Sequence, residues 1–111
     1  MTKVNVLGTN YDICTSEEDD PKMDGASGYC EFYSKKIVLA NIKPSTQSFE
    51  SLDEYKKRVL RHEIIHAFFA ESGLRSNCDF AENEELVDWI AIQFYKLDKA
   101  FRECGCAESE E

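Results

Sequence analysis

HEIIH, residues 62–66, lies inside the run SLDEYKKRVLRHEIIHAFFAESG of residues 51–73, and the conformation of that run decides the architecture. Leu52, Tyr55, Val59, Ile64, Ala67 and Phe68 recur at the spacings of a helix that buries much of its surface. Ser51-Leu52-Asp53-Glu54 reads as a capping box that starts the helix, and Gly73 ends it by adopting positive φ. On such a helix His62 and His66, four residues apart, stand one above the other, with Glu63 about 100° around the axis. These are the chain's only two histidines. Two imidazoles aimed at one metal ion, beside a carboxylate able to take a proton from water, are the chemistry that H-E-x-x-H serves.

A catalytic zinc site needs a third protein ligand and keeps one position open. The next helical pattern, residues 80–102, offers it. Asp79-Phe80-Ala81-Glu82 resembles an N-terminal cap, and Val87, Ile90, Ala91, Phe94, Leu97 and Phe101 form a broad apolar side, with Trp89 also read as a packing residue. Glu84 and Asp88 lie four apart on one face. Glu84 can therefore bind zinc while Asp88 accepts a hydrogen bond from the remote nitrogen of a ligating histidine. Glu85, about 100° away, is the competing ligand, and Glu82 sits close to the cap.

HEIIHAFFAESG (residues 62–73) followed by ENEELVDWIAIQ (residues 82–93) resembles the gluzincin branch of the zincin metallopeptidases, and most closely the compact ImmA/IrrE-like and phage-encoded metallopeptidases. The resemblance implies Zn2+ held by His62, His66 and Glu84, Glu63 as general base, and Asp88 supporting a histidine. It also implies peptide-bond hydrolysis on a regulatory or phage-related protein, with an extended substrate laid beside an edge strand; residues 37–40 are a candidate for that edge, and a core strand is their equal alternative. The alternative is a noncatalytic regulatory or protein-binding module that keeps zinc to pin its helices together.

Upstream of the helices, residues 3–14 read as a bent strand or two short extended pieces around Gly8-Thr9-Asn10. Residues 28–41 read as a hairpin turning near Ser34-Lys35-Lys36. The acidic run Glu17-Glu18-Asp19-Asp20 with Pro21 should form an exposed loop, and Lys43-Pro44-Ser45 should carry the chain away from the strands. The expected fold is α+β, a minimal zincin-like domain in which a small sheet packs against the HExxH helix and a second long helix.

With 111 residues, the chain suits one domain spanning 1–111 with a short acidic tail over 104–111. Asp and Glu outnumber Lys and Arg by 22 to 13, a formal charge of −9, which argues against nucleic acid as a partner and leaves a peptide or protein substrate. Five cysteines form no disulfide framework, and neither an apolar leader nor a membrane-length run is present, so a cytoplasmic location without membrane attachment is expected. Cys14, Cys30 and Cys78 are expected to be partly buried and Cys104 and Cys106 to be free thiols. Lys56, Lys57, Arg58 and Arg61 read as a solvated helix surface. Both histidines being committed to metal, a side chain that steadies an oxyanion, where one is needed, must be a tyrosine or arginine, and Tyr11, Tyr33, Tyr55, Tyr95, Arg58 and Arg75 are available.

Overall fold

The computed structural model describes residues 3–44 and 51–108. Ser45 of the expected exit from the strands and Ser109 to Glu111 of the expected tail lie outside them. Four strands, β1 (Lys3–Val6), β2 (Thr9–Glu17), β3 (Gly28–Glu31) and β4 (Lys36–Asn41), precede the helices α1 (Leu52–Glu71), α2 (Leu74–Asn77) and α3 (Glu84–Glu103). The fold is α+β, a small mixed sheet against two long helices.

The sheet runs β1-β2-β4-β3. The first segment resolves into a hairpin, β1 antiparallel to β2 across a turn at Leu7 and Gly8. The hairpin of β3 and β4 is antiparallel too, with Glu31 facing Lys36 across a turn whose Lys35 has φ 57°. The two hairpins join through a parallel pairing of β2 with β4. β4 is thus internal, which decides residues 37–40 as a core strand and not the substrate-side edge: their continuous apolar run, Ile37-Val38-Leu39-Ala40, reflects burial on both faces. The edge beside the helices is β3.

Alternation along β4 builds two cores. Ile37 points to the α1 side with Val6, Tyr11 and Ala67, joined by the partly buried Leu39, Leu60 and Ile64. Val38 and Ala40 point the other way and are covered by Met23. Met23 sits in a 3-10 turn, Pro21–Met23, that Asp20 caps by accepting from the Lys22 amide. The acidic run is therefore not a loose loop throughout, because one methionine anchors its end.

α1 begins where expected but without the capping box. Ser51, at φ −115° and ψ 76°, is not in the extended conformation from which an N-cap hydroxyl reaches the first-turn amides, and it makes no such bond. Glu54 instead faces Lys57 at 3.3 Å. Gly73, at φ 86°, turns the chain out of α1 as anticipated. α3 starts four residues later than the sequence pattern suggested: residues Asp79–Glu82 form a 3-10 turn, and Asn83 is the cap, accepting from the Leu86 amide at 2.8 Å. Gly28 lets β3 close on α1, since a Cβ there would lie 3.1 Å from Val59 Cγ1 and 3.1 Å from the Val38 carbonyl oxygen. Cys14, Cys30 and Cys78 are half-buried and Cys104 and Cys106 exposed, all as free thiols. Burial pushes the Cys30 thiol up to about 12, so it stays protonated and unreactive at neutral pH.

Candidate metal centre

His62 and His66 project from consecutive turns of α1, as their spacing requires, and Glu84 is the first residue of α3. The delayed start of α3 matters here. An acidic side chain at a helix N-terminus is favoured by the axial dipole, and the Asn83 cap fixes where that terminus lies. The three side chains converge: His62 Nε2 is 2.8 Å from Glu84 Oε2, His66 Nε2 is 2.8 Å from Glu84 Oε1, and the two Nε2 atoms are 3.2 Å apart. Glu85 is exposed on the neighbouring face and outside this cluster. Asp88, one turn beyond Glu84, reaches His62 Nδ1 at 2.9 Å.

Donor and acceptor bookkeeping identifies what the cluster suits. Burial pushes the Asp88 carboxyl upward, but hydrogen bonds from His62 and Arg58 outweigh it and hold the group below its ordinary value. As a carboxylate, Asp88 only accepts, so His62 donates to it from Nδ1, which leaves Nε2 turned toward the cluster. Burial lowers the proton affinity of His66, against the opposing pull of Glu84. Three potential ligand atoms thus face one point. A divalent cation there would be met by all three at once. Two nitrogens held tetrahedrally at zinc lie about 3.3 Å apart, close to the 3.2 Å between the Nε2 atoms. The His62, His66 and Glu84 ligand atoms all fall within 4.8 Å of one another and match a zinc-binding geometry.

The cluster opens on a cleft. Glu84 keeps 68% of its side chain exposed while the two imidazoles keep about 15%. One arm, about 350 Å³, is lined by Gly28, Cys30, Phe32, Glu63, Arg75 and Glu82 beside the cluster. The other, about 210 Å³, runs past Ser27, Tyr55, Arg58 and Asp88. β3, the terminal strand of the sheet among the described residues, borders the first arm. Glu63 lines both arms and is the one charged residue buried among those described, at 7% exposure. Burial, opposed by His62 and reinforced by Glu84, pushes its carboxyl up to about 7. A divalent ion in the cluster would push it back down.

Of the six candidate oxyanion donors, three line the cleft. Tyr55 lies 2.7 Å from Ser27 Oγ, Arg58 is bound to Asp88 at 3.0 Å, and Arg75 stacks over the Phe32 ring at 4.2 Å. Tyr11 is instead in the core, donating to Glu71 at 2.6 Å. Tyr33 is fully exposed at the β3–β4 turn, and Tyr95 is exposed along α3. The basic stretch of α1 is not simply a solvated surface, because Arg58 bonds Asp88 and Arg61 Nε donates to the Ala91 carbonyl at 2.7 Å, tying α1 to α3. Arg58 was legible as a site residue: it lies four before His62 and so on the same face. Phe32 and Gly28 carried no such signal, since the packing of the sheet on α1 brings them in, and Arg75 enters through the turn at Gly73.

Among the described residues no helix is long and apolar enough to cross a membrane. No family model matches the chain, and neither a curated protein nor a solved structure shows significant similarity to it. The His62/Glu63/His66/Glu84 arrangement is consistent with a gluzincin metallopeptidase and with zinc-dependent catalytic hydrolysis.

Proposed function

We propose that the protein is a zinc-dependent peptidase of the ImmA/IrrE-like kind, acting in the cytoplasm on a regulatory or phage-related protein. The observation that carries this reading is the convergence of His62, His66 and Glu84 in an open cleft with a buried Glu63 at their side. We assign His62, His66 and Glu84 as ligands, Glu63 as general base, and Asp88 as the group that orients His62; Glu85 is set aside. Zinc bound there supplies Lewis-acid charge that lowers the proton affinity of water and polarises a peptide carbonyl.

The remaining work falls to the chain. Glu63 accepts a proton at its carboxylate during attack and returns it to the leaving amine nitrogen. Asp88 holds the Nδ1 proton of His62, and Arg58 holds Asp88. The outer edge of β3, which no described strand covers, offers backbone hydrogen bonds to an extended peptide, aligning it without a narrow side-chain preference. Arg75 and Tyr55 line the two arms of the cleft and are the candidate donors to a developing oxyanion. Zinc-loaded protein incubated with a broad peptide library should cleave it. Glu63→Gln should retain one zinc per chain and lose about 10²–10⁴-fold in turnover. Zinc-replete wild type that cleaves nothing would remove this reading.

One observation favours a second reading, a noncatalytic zinc-stabilised module: the ligands come from both long helices, so the ion would also hold α1 and α3 together. In that case His66→Ala loses zinc and stability together, and Glu63→Gln leaves the protein's binding function intact.

A further inference from the structure

A trough of about 450 Å³ runs between α1 and α3 away from the metal cluster, lined by Ile64, Ile65, Phe68, Phe69, Ile90 and Phe94. The apolar stripe continues past it. α3 meets the first turn of α1 near Tyr95 and Lys96, which share a groove with Ser51, Glu54 and Tyr55, and residues 97–103 extend about two further turns. Leu97 and Phe101 stand seven and eleven residues after Ile90, on the same side of the helix. Phe68 is 38% exposed, Phe94 57%, Leu97 36% and Phe101 46%.

We propose that a second copy of this chain covers this face, the projecting Leu97 and Phe101 of each copy seating in the α1/α3 trough of the other. The hole and the knob lie on one continuous face, which is what a two-fold, self-complementary interface requires. The area fits as well. Taking about 200 Å² per large side chain, the four exposed residues leave roughly 350 Å² of apolar surface. The half-buried Ile64, Ile65, Phe69 and Ile90 raise that toward roughly 500 Å², which is about what an interface of ~800 Å² per partner, two-thirds apolar at its centre, must contain.

Charge permits the pairing. The chain carries −9, yet residues 96–103 hold Lys96, Lys99 and Arg102 against Asp98 and Glu103. Arg102 pairs with Asp98 at 2.9 Å and Lys99 lies 3.8 Å from Glu103. Two copies can therefore meet here without juxtaposing the acidic excess.

The test is sedimentation equilibrium on the reduced, zinc-supplemented full chain across a concentration series. Wild type should approach twice 12.8 kDa at micromolar concentrations, and Leu97→Glu/Phe101→Glu should weaken dimerisation at least 100-fold. Both positions are exposed, so the double variant should keep the helical circular dichroism of wild type. Leu7→Asn, which removes an exposed leucine at the β1–β2 turn, should dimerise as wild type does. A monomer at all concentrations, with the face left for a different protein, overturns the proposal. So does a dimer that survives the double glutamate variant, which would place the contact elsewhere, the β3 edge included, or one that Leu7→Asn dissolves equally.

Discussion

The two halves of α3 repeat one amphipathic pattern and meet opposite fates. In the first half Val87 and Ala91 are fully buried, Asp88 holds His62, and Glu84 faces both imidazoles. In the second half Phe94, Leu97 and Phe101 follow the same spacing and remain exposed. Periodicity reports that a helix has an apolar side, and the presence of a neighbouring element decides whether that side is covered. α1 underlies the first half and has begun only as the second is leaving it.

Substitutions can break the contrast, and the largest effect is expected at the start of the helix. Glu84→Ala should weaken zinc binding, measured by competition with a chromogenic chelator, by more than the roughly 100-fold upper range of outer-shell changes. Leu97→Ala should leave zinc affinity unchanged. Asp88→Asn removes the acceptor for His62 Nδ1 and should cost about 10–100-fold in the same assay.

For stability, Val87→Ala deletes two buried methyl groups and should cost about 2 kcal/mol in urea unfolding. Asn83→Ala, which removes the cap on Leu86, should cost about 1 kcal/mol. Leu97→Ala, assayed well below any concentration at which copies associate, should stay within about 0.5 kcal/mol. Equal losses at Val87 and Leu97 would show that the two halves are packed alike after all.

A further effect lies outside α3, at the end of α1, and concerns the acid limb of stability. Hydrogen bonds from Lys35 and then Tyr11 hold the Glu71 carboxyl down to about 2, below its ordinary 4.5. A depressed carboxyl adds stability that is complete above about 4.5 and fades as pH falls toward 2. Glu71→Gln should flatten that acid limb in thermal melts, and neither half of α3 should alter it.

The residues that were legible from sequence are those whose relation is local. His62, Glu63 and His66 follow from helix geometry alone, and so does the common face of Glu84 and Asp88. The α+β layering follows from short alternating segments ahead of two long periodic ones. Relations that depend on pairing between distant segments were not legible. Ile37-Val38-Leu39-Ala40 has the composition of any strand, and its internal place results from β2 joining it in parallel. The start of α3 was misread because Asp79 and Asn83 both suit a cap, and the 3-10 turn between them leaves the role to Asn83. Trp89 and Phe94 looked like core and are more than half exposed, since hydrophobicity names a preference for burial without supplying the partner.

β3, four residues long and with no strand on its outer side among the described residues, has a cost during production of the protein. A bare row of amides and carbonyls is a template for any extended chain, including misfolded siblings. Brevity limits that hazard, and Glu31 ends the strand with a charge. Lengthening this edge to grip more chain would, by the same backbone chemistry, move the protein toward aggregation.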